Sequence, residues 1–130
     1  MKFGYTIVYV PSVSDALAFY ERAFGFRTRF LHESGQYGEL ESGSTTLAFA
    51  SNALGEMNLG SSFSPVSAEA PAPGIELAFV TEDVPSAYAQ AIAAGAVSLQ
   101  APAEKPWGQV VAYVRAREGT LVELCSPMDG

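Results

Sequence analysis

The sequence predicts an α+β protein built from two copies of a βαβββ unit. The residues 5–23, YTIVYVPSVSDALAFYERA, lay without a gap over residues 76–94, ELAFVTEDVPSAYAQAIAA. Each copy is an apolar run, a short polar break, a valine (Val13, Val84) and an alanine-rich helical pattern, with Gly25 and Gly95 closing the two helices. Short strand-like runs separated by turns follow both copies. A solenoid needs at least three stacked repeats, whereas two long ones make a pseudo-symmetric domain, with a working site expected where the halves meet. One helix per half among strands expected to be antiparallel neighbours points to α+β, not to a wound parallel sheet.

Residues 5–10, YTIVYV, are rich in β-branched and aromatic side chains and read as the first strand. The first helix is predicted to start near Ser12, which stands three residues before Asp15 in the spacing of a capping box. Ala16, Leu17, Tyr20, Ala23 and Phe24 fall on one helical face. Gly25 suits the left-handed C-cap. Strands are predicted over 26–32, 37–41 and 45–51, with Gly35 and Gly43 at the turns. Residues 53–74 carry Gly, Ser, Pro and Ala without periodicity and read as a connecting loop. The second copy gives a strand over 75–81, a helix with Pro85 at its first turn running to about Ala94, and strands over 97–100, 109–115 and 120–125. Gly119 turns the last hairpin. The expected organisation is a single domain, residues 1–130, of two modules at about 1–52 and 75–127.

Composition narrows the function. The 130 residues suffice for a sizeable core, and with 48% apolar and 16% charged residues the chain is not a disordered one. No apolar run approaches the roughly 18 residues of a membrane helix, and no secretion signal is evident, so no membrane partner is expected. A single cysteine precludes an internal disulfide and fits a reducing, cytoplasmic setting. A net charge of −7 opposes binding to nucleic acid and favours cations, or serves solubility alone. No phosphate loop, dinucleotide fingerprint or HExxH pattern occurs.

The segments VPSVSDALAFYERAFGF and PWGQVVAYVRAREGTLVELCSP, together with the repeat that joins them, resemble the vicinal-oxygen-chelate superfamily of glyoxalases, bleomycin-resistance proteins and extradiol dioxygenases. The resemblance spans nearly the whole chain and is strongest to the small bleomycin-resistance-like members. It implies tandem βαβββ modules forming a curved mixed sheet with a cleft, and a homodimer. Metal-dependent members place ligands on the first and last strand of each module. Those positions fall here on Tyr5 and Glu76, and on Ala48 (or Phe49) and Glu123. Two carboxylates, a phenol and a non-ligand make half a metal site. Zn and Ni sites favour imidazole, and the one histidine, His32, lies on another strand.

The residues then divide by chemistry. By alternation Leu121, Glu123 and Cys125 share one face of the last strand, and Val122 and Leu124 the other. Glu123 either points into the cleft or is a solvated edge glutamate, and Glu76 is either its neighbour there or an idle charge at a strand end. Tyr5 is a cleft contact or a half-buried strand aromatic. Tyr37 and Trp107, each followed by glycine and a polar residue, are expected at matching places in the two halves, stacking a planar ligand or packing a loop. Cys125 reads as a small buried hydrophobe and His32 as a surface residue. The sequence therefore predicts a binder of a small aromatic or cationic molecule that uses Tyr5, Tyr37, Glu76, Trp107 and Glu123. No cofactor is expected. The alternative is a glyoxalase-type lyase or isomerase using a divalent metal such as Zn, Ni or Mn, with Glu76 and Glu123 as candidate ligands.

Overall fold

A computed structural model describes residues 1–128. The chain divides into two compact units, Met1–Val66 and Ser67–Gly130. The first unit runs β1 (Tyr5–Val10), α1 (Val13–Phe24), β2 (Arg27–Leu31), β3 (Tyr37–Glu41), β4 (Thr46–Ser51) and α2 (Asn52–Leu59). The second runs β5 (Glu76–Val80), α3 (Val84–Ala93), β6 (Val97–Glu104), β7 (Val110–Arg115) and β8 (Leu121–Cys125). Each unit holds one four-stranded sheet, ordered β1-β4-β3-β2 and β5-β8-β7-β6. The two orders are the same, as a duplication requires.

The expectation of antiparallel neighbours throughout fails at one place in each sheet. β1 runs parallel to β4, and β5 parallel to β8, while the remaining pairs are antiparallel. The helix after β1 or β5 carries the chain across the sheet, and only then do hairpins bring it back. The closing strand thus enters beside the opening one in the same direction.

Side-chain chemistry explains the helices. Ser12 caps α1, its hydroxyl accepting from the Asp15 amide at 3.3 Å, and Gly25 ends it at φ 77°. Val13, Ala16, Leu17, Phe19, Tyr20 and Ala23 are buried on the sheet, with the Tyr20 ring 4.7 Å from that of Phe49. In α3, Asp83 caps the Ser86 amide, Pro85 sits in the first turn, and Val84 and Ala91 are buried. Val13 and Val84, the valines that mark the repeat, are each the first residue of their helix and almost fully enclosed.

Two segments depart from the sequence reading. Residues 52–59 form α2 instead of a loop, with the Ser51 hydroxyl accepting from the Leu54 amide at 3.0 Å. Only Gly55 is buried in α2, so no apolar face announced the helix. β6 continues past Gln100 to Glu104 although it contains Pro102. An edge strand tolerates the missing amide, and the pairing to β7 slips between Gln100 and Ala103. Among the described residues no helix is long and apolar enough to cross a membrane.

Candidate functional site

In each unit the helix that follows the first strand, α1 or α3, covers one face of the sheet, and the titratable side chains gather on the other. Register places Glu76, Leu121 and Arg115 in one row of the second sheet, Ala78, Glu123 and Tyr113 in the next, and Val80, Cys125 and Val111 in the third. Val122 and Leu124 are buried on the helix side, while Glu123 and Tyr113 are half-buried on the far side. The alternation predicted for the last strand therefore holds.

Glu76 and Glu123 come together there. Burial, then the hydrogen bond and charge of Glu123, hold the Glu76 carboxyl above its ordinary value of 4.5. A neighbouring carboxylate disfavours the charged form of Glu76 and favours its protonated one. Burial and then Glu123 also raise the Tyr113 phenol above its usual 10.0. The Cys125 thiol, 4% exposed, is pushed up to about 11 by burial and by the same two carboxylates. It is the protonated, packed residue expected of it, not a nucleophile. Among the described residues no Lys or Arg pairs with Glu76 or Glu123. Arg115, in the row of Glu76, turns its guanidinium to the backbone carbonyls of Gly119, Ser67 and Ala70.

The first unit carries a different set at the corresponding places. Tyr5 pairs with Thr46, Ile7 with Ala48, and Glu39 with Ala48 from the other side. This register settles the alternative: Ala48, not Phe49, corresponds to Glu123, and Phe49 is buried in the core. Tyr5 is 56% exposed. Arg29, absent from the sequence reading, organises the rest. Its Nε and Nη2 reach the two Glu41 oxygens at 2.9 and 3.0 Å, and its Nη1 reaches Glu39 at 3.3 Å. The hydrogen bond to Arg29 lowers the Glu41 carboxyl. The Tyr37 hydroxyl donates to Glu39 at 2.8 Å, and burial with that bond pushes the phenol up to about 12. Both carboxylates of this cluster reach the Arg29 guanidinium, whereas among the described residues Glu76 and Glu123 pair with no Lys or Arg.

Tyr37 and Trp107 do not occupy matching places. Tyr37 lies opposite Ala50, and the residue of β7 in that role, opposite Cys125, is Val111. Trp107 lies in the turn before β7, 62% exposed, its indole N–H donating to Gln109 at 2.9 Å. Gln109 in turn donates to the Ser126 carbonyl at 2.9 Å. Gln109 precedes Tyr113 by four residues, about 13 Å along extended chain, so within the unit the indole stands apart from the carboxyl pair. The cavity beside Trp107, also lined by Pro127 and Met128, holds about 100 Å³. That is below the several hundred Å³ of a ligand pocket. His32 is exposed and its ring is bonded to Ser34 at the β2–β3 turn.

The ligand positions of metal-dependent relatives thus present Tyr5 and Ala48 in one unit and Glu76 and Glu123 in the other. Among the described residues no three His, Cys, Asp or Glu gather as a metal site. Two carboxylates alone fall short of the ligand set of a tetrahedral or octahedral transition-metal centre.

A family model described as the Glyoxalase/Bleomycin resistance protein/Dioxygenase superfamily matches residues 2–124. No curated protein matches the chain. Among solved structures, the chain is similar to a glyoxalase/bleomycin resistance protein/dioxygenase family enzyme from Burkholderia phytofirmans PsJN, with TM-score 0.82 and 23% identity over 97% of this chain and 98% of that one. A glyoxalase-related enzyme from Fulvimarina pelagi superposes with TM-score 0.80 at 17% identity, covering 98% of this chain and 88% of that one. TioX from Micromonospora sp. ML1 superposes with TM-score 0.72 at 20% identity, covering 97% and 98%. At these identities the likeness establishes the fold.

Proposed function

The chain belongs to the glyoxalase/bleomycin resistance protein/dioxygenase superfamily, and from that premise we propose that it binds a small cationic, preferably planar aromatic molecule without covalent chemistry. The observation that carries the reading is the Glu76–Glu123 carboxyl pair, on the helix-free face of the second sheet, with no Lys or Arg paired to it among the described residues. A ligand cation displaces the Glu76 proton and gains two charge-assisted hydrogen bonds or ion pairs. The Tyr113 phenol beside it offers a ring face and an O–H that stays protonated. The family resemblance implies that the protein works as a homodimer. Trp107 is a second, separate aromatic surface in this reading.

Calorimetric titration with planar aromatic cations and their neutral isosteres tests it. The cations bind and the isosteres do not. Glu123→Gln weakens binding about tenfold or more, the weight of a hydrogen bond to a charged group. Affinity rises with pH above 4.5 as the Glu76 proton is lost. Equal affinity for the neutral isosteres removes the carboxyl pair from the model.

The metal-dependent lyase or isomerase reading draws on one observation, the two carboxylates at two of the four ligand positions. Turnover of a hemithioacetal that a chelator abolishes would favour it over binding alone.

A further inference from the structure

The connection of residues 53–74 is read from sequence as one long loop. Its contacts divide it. In the first unit the Phe63 ring lies 5.0 Å from that of Tyr9, tilted by 45°. Both rings close on Gly55 of α2. A Cβ there would stand 2.6 Å from Phe63 Cζ and 2.9 Å from Tyr9 Cδ1, so the glycine is the notch into which the clasp fits. In the second unit Arg115 holds the other end. Its Nη1 donates to the Ala70 carbonyl at 2.6 Å and its Nη2 to that of Ser67 at 2.9 Å. Nε and Nη2 bind the Gly119 carbonyl at 3.0 and 2.7 Å. Gly119 is itself pressed against the strap: a Cβ there would meet the Ser67 carbonyl carbon at 2.7 Å, and its φ of +114° excludes other residues.

Between the clasp and the strap lie three residues, Ser64, Pro65 and Val66, and the boundary of the two units falls directly after them. Their chemistry is that of a stiff joint. Pro65 has a fixed φ, Ser64 is held to extended conformations because it precedes proline, and Val66 is β-branched. None of the three has a backbone hydrogen bond to another element among those of the described residues. We propose that the connection is anchored at two points, by an aromatic clasp in the first unit (Phe63 on Tyr9 and Gly55) and by a guanidinium strap in the second (Arg115 on Ser67 and Ala70), with residues 64–66 as the short restricted span between the anchors. Residues 60–63 and 67–70 are then held each to its own unit and are not a free lid.

Site-resolved limited proteolysis of the full chain tests this. Chymotrypsin reports the clasp by its cut after Phe63, and a glutamate-specific protease reports the strap by its cut after Glu69. Cleavage follows the population of the opened segment when opening is fast. Both cuts are slow in the wild type. Tyr9→Ala speeds the cut after Phe63 about tenfold and leaves Glu69 unchanged, and Arg115→Ala does the reverse. Arg115→Lys, which keeps the charge and loses the fork, also releases Glu69. Circular dichroism of each variant confirms that the sheets persist, and a variant that has unfolded is replaced by the milder Tyr9→Leu or Arg115→Lys. Fast cleavage at both sites in the wild type, or release of both by either substitution in a folded variant, overturns the proposal.

Discussion

Glu76 illustrates how much one carboxyl can say. Its folded form holds a proton more tightly than the unfolded chain does, because burial and Glu123 both disfavour its charge. The native state therefore binds more protons than the unfolded state across the window that begins at 4.5 and extends upward. Stability contributed by that proton is full below 4.5 and is lost as pH rises through the raised value. Glu76→Gln removes the titration and keeps the hydrogen bond to Glu123. Thermal melts between pH 4.5 and pH 8 will show the wild type losing stability relative to this variant as pH rises. Parallel curves for the two proteins would mean that burial and Glu123 do not raise the Glu76 carboxyl. The sequence showed both glutamates, through the repeat for Glu76 and strand alternation for Glu123. It hid the cluster of Arg29, Glu39 and Glu41. Arg29 sits where the β2–β3 register slips between Thr28 and Phe30, and alternation cannot assign a face to a residue at a bulge.

The element scale is governed by how closely a helix approaches its sheet. Gly38 of β3 faces α1. A Cβ there would stand 2.8 Å from Leu17 Cδ1 and 3.2 Å from both Val13 Cγ1 and the Phe30 carbonyl oxygen. Leu17 can turn away, but the Phe30 backbone cannot. Gly38→Ala is therefore expected to destabilise by about 1–3 kcal/mol, as overpacked cores do, measured as a lower denaturation midpoint with unchanged slope. A neutral result would show that α1 rides more loosely on β3 than these distances say. Glycine here reads in sequence as half of an aromatic–glycine motif shared with Trp107 and Gly108. The structure separates the two: Gly38 is a packing residue inside a strand, whereas Gly108 is a turn residue at φ +91°. The helix α2 was illegible for a related reason. Its start depends on Ser51, which also ends β4, and its one buried residue is a glycine. The strands and the other two helices were legible because caps, valines and periodicity agree.

For the whole molecule, the duplication has kept the plan and let the chemistry diverge. Both sheets have one strand order, yet Ala48 stands where the second unit has Glu123 and Tyr5 where it has Glu76. In one unit Arg29 pairs with Glu39 and Glu41, whereas in the other, among the described residues, no Lys or Arg pairs with Glu76 or Glu123. This asymmetry decides what a divalent ion can find. A four-ligand centre that binds only the native state stabilises it by about 2.7 kcal/mol at 100 times its dissociation constant. The pair supplies hard oxygen donors from two side chains only, and Glu76 must first lose its proton. With a dissociation constant on the order of 1 mM, 1 mM ion would add only about 0.4 kcal/mol. Thermal melts of chelator-stripped protein with Zn, Ni, Mn or Mg at that concentration are expected to move little. Glu123→Gln should abolish even that movement, since it removes one of the two donors. A large, saturable shift with one ion, lost in Glu123→Gln, would mean that further donors join the pair, and the metal-dependent lyase or isomerase would replace the binding protein as the better reading.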